Sequence, residues 1–439
     1  MTAAGLVDPP TLDLLDPGGT HRATATDPLV APPVALYVHV PFCVSHCPYC
    51  DFVVIAGREA RGPANRIDAF VAALEVELGL RADALDRRWG GSGARPPLSS
   101  IYLGGGTPSL LPAPTLARLL DLVRRRFGLA GDAEVTLEVN PGPDERGDAA
   151  AILEAGVTRL SVGAQSFDLG ELRRLGRRHD PDDIAATVAS ARTAGIRSVS
   201  LDLLYDIPGQ GLETWSRTLE EALRLQPDHL SLYAMALDDP EAEGLTGLSG
   251  DHLALRPGTR RWRERARPEQ DDDRAAAMYE LGDRRLAGAG FAWYEISNWA
   301  RLEHRSRHNL AYWRRHPYEA VGPGAHAFDG VTRRWNAARL EGYIDALVPA
   351  DGGVPRLPPG GSERVAGSLA VFETVMLALR TAEGGTGATL GPAPWAEIER
   401  RLADPIAAGL LERGGDGRLV LTLRGRLLSN DVFARLLPG

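Results

Sequence analysis

Three cysteines stand within eight positions of one another, as Cys43, Cys47 and Cys50 in the spacing C-x₃-C-x₂-C, and the chain has no others. A short apolar run at 35–40 precedes them and reads as a strand. Thiolates this close on a turning loop can converge on one metal centre, whereas a disulfide would pair two and strand the third. Structural zinc normally takes four protein ligands, and no His pair sits at finger spacing here. An iron–sulfur cluster accepts thiolates readily, and three of them leave one iron of a [4Fe–4S] cube without a protein ligand. That open iron is the chemistry the spacing points to. The alternative is a loop with chance cysteines, which the lack of thiols elsewhere argues against.

Other candidates follow apolar runs in the same way. Gly104-Gly105-Gly106-Thr107-Pro108 lets a backbone approach a ligand closely, although a structural turn is the ordinary reading of a glycine triplet. Glu138-Val139-Asn140-Pro141 puts a carboxylate at a strand end, to hold a hydroxyl or an ammonium, or to form a salt-bridged rim. Ser161 to Phe167, Gly176-Arg177-Arg178-His179 and Leu201-Asp202 stand at comparable ends, while Asp206 and Gln210 read as turn residues. Farther on, Arg307-His308-Asn309-Leu310-Ala311-Tyr312-Trp313 sets an imidazole among aromatic rings. On sequence alone, a single histidine beside aromatic rings is more often a hydrogen-bonded core residue than a ligand.

These residues need a frame. Strands are expected at 35–40, 100–103, 134–139, 159–162, 198–203 and 229–233, with amphipathic helices at 67–80, 115–127, 149–155, 184–194 and 212–225. Six strands alternating with helices predict an α/β fold with a parallel sheet and right-handed crossovers, either a partial barrel or a doubly wound open sheet. In parallel α/β barrels the site lies at the carboxyl ends of the strands, where these candidates fall. Residues 238–273 lack a sustained apolar period and read as an insertion or mobile loop. A helix at 275–286, a strand at 291–296 and an aromatic, His-rich stretch at 304–335 follow, then a Pro/Gly-rich linker at 350–361. The organisation expected is a disordered extension at 1–33, a barrel at 34–240, an insertion and accessory segment at 241–349, and a small helical, winged-helix-like domain at 361–439. A turn near Glu412 would form its hairpin.

The totals narrow the function classes. All 49 basic residues among the 439 are arginine, which removes any Walker or Schiff-base lysine. A net charge of -9 argues against nucleic acid as the main partner, and residues 361–439 balance 9 Arg against 9 Asp+Glu. Thiols confined to one site suit a reducing cytosol, so a cytoplasmic location is expected. No apolar run is long enough for a transmembrane helix, and the proline-rich start lacks a signal-peptide pattern.

The stretch H-V-P-F-C-x₃-C-x-Y-C-D-F resembles the radical S-adenosylmethionine (radical SAM) superfamily, in particular the branch holding oxygen-independent coproporphyrinogen dehydrogenase and related haem chaperones. Further matches recur to about residue 380. The resemblance implies a partial (β/α)₆ barrel, in which the open iron is chelated by the amino and carboxylate groups of SAM and an electron from the cluster splits the sulfonium. It assigns the cluster to Cys43, Cys47 and Cys50. It assigns SAM contacts to Tyr37, Tyr49, Gly105, Gly106, Thr107, Glu138, Gln165, Arg177, Asp202 and Ala236, the last placed mainly by its distance from Asp202. His308-Asn309-x-x-Tyr312-Trp313 resembles a haem-binding motif of the chaperones, with His326 in Gly322-Pro323-Gly324-Ala325-His326 either a second axial ligand or structural. The dehydrogenases place a further cysteine two residues after the third, where this chain has Phe52. The implied function is therefore a chaperone carrying haem to an acceptor protein, with an electron donor for its cluster. A coproporphyrinogen III dehydrogenase is the alternative.

Overall fold

A computed structural model describes residues 30–58, 60 and 65–437. Most of the extension expected at 1–33 lies outside the described residues. The frame is six parallel strands, β1 (Ala35–Val40), β2 (Leu98–Gly105), β3 (Leu129–Val139), β4 (Arg159–Gln165), β5 (Ser198–Tyr205) and β6 (His229–Ala234). They are neighbours in chain order, β1-β2-β3-β4-β5-β6. A doubly wound sheet would reverse that order partway, so the progression is that of a partial barrel.

The strands alternate, and the alternation builds the barrel. Ile101, Leu137, Val162, Leu201 and Leu230 point outward into the main core. There they meet helices α1 (Ile67–Trp89), α2 (Ala113–Phe127), α3 (Ala149–Glu154), α5 (Pro181–Ala194) and α6 (Leu212–Arg224), while the short α4 (Leu169–Arg174) lies between β4 and α5 in the chain. Each fully buried Leu or Val side chain contributes roughly 1.5–3 kcal/mol to this contact. The intervening residues, Glu138, Ser161, Ser200 and His229, share one register level across β3 to β6. Local signals set the helix ends. The Asp180 side chain accepts from the Asp183 N–H and the Asp183 side chain from the Asp180 N–H, capping α5, which stops at Gly195 with φ 90°. On α6, Trp215, Leu219 and Ala222 form the buried stripe.

Of residues 238–273, expected as an insertion or mobile loop, 238–256 hold no helix or strand, whereas the rest includes helix α7 (Pro257–Ala266) and a 3₁₀ turn (Arg267–Glu269). The side chains tying this segment down include Arg263 and Arg267, which donate to backbone carbonyls, so an apolar period does not reveal it. Helix α8 (Asp272–Gly288) follows, then strands β7 (Ala292–Glu295) and β8 (Asn298–Ala300). Helix α9 (Arg307–Trp313) leads to β9 (Tyr318–Val321), β10 (His326–Phe328), β11 (Thr332–Asn336), α10 (Leu340–Leu347) and β12 (Gly360–Arg364). These strands lengthen both edges of the barrel sheet, giving the order β12-β11-β10-β9-β1-β2-β3-β4-β5-β6-β8-β7. The last part of the chain, from α11 (Gly367–Leu379), has its own core around Leu379, Trp395, Leu402, Leu419 and Phe433. The hairpin expected near Glu412 is present, pairing Leu411–Arg413 with Leu419–Leu421.

One buried carboxylate joins three of these parts. Glu77 on α1 is fully buried and accepts from Arg81 at 3.1 Å, from Asn336 Nδ2 and the Tyr343 hydroxyl at 2.8 Å, and from the Gly322 N–H at 2.9 Å. Removing one partner of a buried ion pair leaves the other charge uncompensated. Glu77→Ala should therefore lower unfolding stability by about 3–5 kcal/mol in urea denaturation. Tyr343→Phe should cost only about 1 kcal/mol. Equal effects would show that packing, and not the carboxylate, holds α1, β11 and α10 together.

Candidate functional site

A cavity of about 330 Å³ opens at the carboxyl ends of the barrel strands. Cys43, Cys47 and Cys50 line it, together with Tyr49, Gly105, Gly106, Glu138, Gln165, Arg177, Asp202 and Ala236. The structure thus gathers in one place eleven of the fifteen residues singled out for the cluster, SAM or haem, with His326 among the four outside it. Tyr37, Thr107 and His308 are not part of its wall.

The cysteine loop rests on the glycine triplet. The Gly106 N–H donates to the Val40 carbonyl at 2.8 Å and the Thr107 N–H to the Phe42 carbonyl at 2.7 Å. A Cβ on Gly106 would meet the Phe42 oxygen at 2.6 Å, and one on Gly105, whose φ is 107°, would strike the His39 ring at 2.3 Å. Small residues are needed because the two strand ends touch. Thr107 lies behind the cavity wall and donates through Oγ1 to Cys43 Sγ at 3.2 Å. Arg177 reaches Cys47 Sγ at 3.7 Å and also donates to Asn140 Oδ1 at 2.5 Å and the Gly163 carbonyl at 2.8 Å. Tyr37, also behind the wall, donates its hydroxyl to His39 Nδ1 at 3.0 Å, and His39 Nε2–H donates to the Val53 carbonyl at 2.9 Å. The second of these bonds ties β1 to the far side of the cysteine loop.

Two acids stand deeper in the barrel. Glu138 accepts from the Tyr102 hydroxyl and the Gly105 N–H, each at 2.9 Å. Burial pushes its carboxyl up to about 7, against the pull of those two donors. Asp202 accepts from Ser161 Oγ at 2.9 Å and Ser200 Oγ at 3.2 Å, and burial raises it above the usual carboxylate range. Gln165 holds a left-handed backbone at φ 65°, an uncommon state for a non-glycine residue and frequent at ligand sites. Phe52, 64% exposed, stands at the mouth where the dehydrogenases carry a cysteine. Asp206 and Gln210 serve the fold: Asp206 pairs with Arg274, and Gln210 Nε2–H donates to Glu171 at 3.0 Å.

These groups can be tested against the cofactors the sequence implies. All three thiols are free. Among the described residues no three His, Cys, Asp or Glu side chains converge closely enough for a single metal ion. Three thiols with no histidine pair at finger spacing suit a cluster that takes a thiolate on each of three irons better than a structural zinc, which normally takes four protein ligands. Burial pushes the Cys43 thiol up to about 12. A bound metal would hold such a thiol as the thiolate, and Thr107 Oγ1 at Cys43 Sγ and Arg177 at Cys47 Sγ are placed to stabilise the charge on those sulfurs. Arg177 Nε is buried without a hydrogen-bond partner among the described residues. The acids, the backbone edge and this guanidinium fit a ligand bearing both an ammonium and a carboxylate.

His308 lies toward the other end of the barrel and is fully buried. Its Nδ1 bonds Ser100 Oγ at 3.0 Å and its Nε2 the Tyr312 hydroxyl at 2.7 Å, and burial lowers its pKa to about 3. Glu134 on β3 fixes the start of α9, accepting from the Arg307 and His308 N–H groups at 3.0 and 3.1 Å. The residues that sequence reasoning missed are the inward hydroxyls Tyr102 and Ser200, while Ser161 and Asn140 lay in strand-end segments it singled out without giving them a role. The signal for Tyr102 and Ser200 was a polar residue at every second position of strands that are otherwise apolar.

The radical SAM superfamily profile matches residues 37–222. A haem chaperone HemW from Mycobacterium tuberculosis is 41% identical over 410 residues, covering 93% of this chain and 96% of the relative. The haem chaperone HemW of Escherichia coli is 37% identical over 295 residues, 67% of this chain and 70% of the relative. Among solved structures, E. coli coproporphyrinogen III oxidase (HemN), described as a radical SAM enzyme, superposes with a TM-score of 0.73 at 22% identity. That superposition covers 92% of this chain and 90% of the oxidase, and speaks for the fold alone.

The raised carboxyl of Glu138 has a consequence for stability in the ligand-free protein. Folded Glu138 titrates near 7 and the unfolded residue near its ordinary 4.5. Between those values the folded state binds more protons, so its contribution is full below the lower value and is lost as pH rises through the upper one. From about pH 5 to pH 8 the wild type should lose about 2–3 kcal/mol more stability than Glu138→Gln. Urea denaturation at stepped pH measures the difference, and parallel pH curves would reject it.

Proposed function

This chain belongs to the radical SAM superfamily and, within it, to the family of the HemW proteins, and on that premise we propose that it is a haem chaperone. It holds a [4Fe–4S] cluster on Cys43, Cys47 and Cys50, binds SAM beside it, and carries haem to an acceptor protein in a reducing, cytosolic compartment. The observation that carries this reading is the single cavity in which the three cysteines meet Glu138, Asp202, Arg177 and the Gly105–Gly106 edge. Supporting the chaperone over the dehydrogenase are the 41% identity to a named haem chaperone over 96% of its length and Phe52 at the mouth.

When bound, the cluster supplies an open iron and, once an external donor has reduced it, one electron. The chain's residues do the rest. Thr107 and Arg177 orient the first two thiolates. Glu138 and Asp202 receive the positive end of SAM, and a cation arriving beside Glu138 favours its ionised form. Gly105 and Gly106 offer backbone polar groups to the ligand's amino-acid portion, while Arg177 and Gln165 meet its polar edges.

For haem, the motif assigns iron ligation to His308. With both ring nitrogens engaged and no exposure, His308 reaches iron only after α9 leaves the end of the barrel and a bond to Tyr312 or Ser100 breaks. A second reading rests on His326. Its side chain is 36% exposed, Asp251 Oδ2 holds its Nε2 at 2.7 Å, and Nδ1 has no partner among the described residues. A carboxylate behind an imidazole is the usual second support of an iron-binding histidine.

Three outcomes test the proposal. Anaerobic reconstitution should load about four irons per chain, with any one Cys→Ala change removing most of them. The same loaded sample, given SAM, reductant and coproporphyrinogen, should form no oxidised product by mass. SAM- and cluster-dependent product would make the dehydrogenase the better reading. Separately, purified protein should bind haem with an imidazole-ligated absorption spectrum. His308→Ala should abolish that spectrum and leave iron loading intact, while His326→Ala retains it. The reverse pattern would move the ligand to His326.

A further inference from the structure

The part of the loop carrying the third cysteine is gripped from helix α7, a segment with no apparent role in the sequence. Arg263 on α7 is only 3% exposed. Its Nε–H donates to the Pro48 carbonyl at 3.1 Å. Its Nη2 donates to the carbonyls of Tyr49 and Cys50 at 3.1 and 3.0 Å and to Asp51 Oδ1 at 2.5 Å. Nη1 donates to the Asp238 carbonyl, anchoring the guanidinium from behind. Four of these five acceptors belong to consecutive residues, 48–51, and Cys50 is one of them. Helix α7 is itself seated on the loop, since Ala266 and Trp262 pack with Tyr49, Leu204 and Met235.

Carbonyls turned to one side of a loop need a donor, and a planar guanidinium supplies several in a fixed fork that a lysine could not match. Thr107 and Arg177 hold Cys43 and Cys47 through their sulfurs. Cys50 is held through its backbone instead. We propose that Arg263 is a positioning residue for the cluster: by fixing the backbone of 48–51 it keeps the Cys50 thiolate aimed at the cavity and slows loss of the cluster. The insertion at 238–273 is then part of the cluster's housing. This inference rests on the three cysteines being the cluster site.

The test follows iron leaving anaerobically reconstituted full-length protein into a colorimetric iron chelator. Arg263→Ala and Arg263→Gln should each release iron about tenfold faster than wild type, the change expected when one charge-assisted hydrogen-bond set is lost. Arg260→Ala, on the exposed side of the same helix where Arg260 pairs with Glu241, should release at the wild-type rate. Melting of the apo proteins is measured alongside. A merely structural Arg263 would lower the apo melting temperature and leave the release rate of loaded protein unchanged, and that result overturns the proposal. So does equal acceleration by Arg260→Ala. If Arg263→Ala does not fold, the neutral, flexible Arg263→Gln decides. Wild-type protein that takes up no iron would overturn the cluster reading as well, whereas a loaded wild type with unchanged Arg263 variants overturns this inference alone.

Discussion

Polar side chains buried inside the barrel set the terms for everything at its mouth. Most parallel barrels fill their interior with branched apolar residues. Here Tyr102, Glu138, Ser161, Ser200, Asp202 and His229 occupy inward positions of β2 to β6, and the apolar side chains point out to the helices. A buried polar group must find partners or destabilise the fold. Asp202 finds the Ser161 and Ser200 hydroxyls, and Glu138 finds Tyr102 and the Gly105 backbone. Even so, both acids are held above their ordinary range by burial. Their poor solvation disfavours ionisation, buried Arg159 offsets only part of that, and a further cation in the cavity would favour their charged forms.

The rim obeys a different constraint, because the cysteine loop has little secondary structure of its own. One two-residue pairing, Phe42–Cys43 with Ile55–Ala56, and one turn, with the Cys50 N–H on the Cys47 carbonyl at 3.1 Å, are its own hydrogen-bonded frame. Its remaining order comes from outside. The glycine edge after β2 supports Cys43, Arg177 after β4 reaches Cys47, and Arg263 holds the backbone around Cys50. Two of the three supports bring a guanidinium, which offsets the negative charge that three thiolates would concentrate there. The close contact of Gly106 with Phe42 explains why the support after β2 is glycine and not a longer donor.

How much of this was legible in the sequence differs from element to element. The six barrel strands were readable because their apolar residues recur at strand spacing, and the structure lengthens rather than moves them, as where 100–103 becomes Leu98–Gly105. The strands Asn298–Ala300 and His326–Phe328 were not, because three residues carry no periodic signal. Helix α7 was hidden for another reason. Its sequence, PGTRRWRERA, reads as a solvated face, yet Arg263 is among its buried residues. Periodicity treats arginine as exterior, so a fold that buries one as a hydrogen-bond hub escapes it. The cavity residues were legible where glycine, proline or an acid marked a strand end. Tyr102 and Ser200 were not, since they lie inside strands, away from the ends where glycine, proline or an acid drew attention, and only their alternation with apolar residues marks them.

Tyr102 links the two ends of the barrel. Its hydroxyl donates to Glu138 in the wall of the cysteine cavity, and its ring lies 5.2 Å from that of His308. His308 in turn bonds Ser100 on the same strand and Tyr312 on its own helix, whose ring stands edge-on to Tyr318 at 4.5 Å. Helix α9 therefore packs into the lower barrel as part of the support for the residue that orients Glu138. Its N-terminus is held by the Glu134 carboxylate and its far end by Arg314 on Glu383 of the C-terminal part. Undocking α9 would remove the neighbour against which the Tyr102 ring packs and leave Ser100 and Glu134 without their partners. The segment that resembles a haem motif and the carboxylate that faces the cysteines thus share one packed aromatic residue, and neither environment can be rebuilt without disturbing the other.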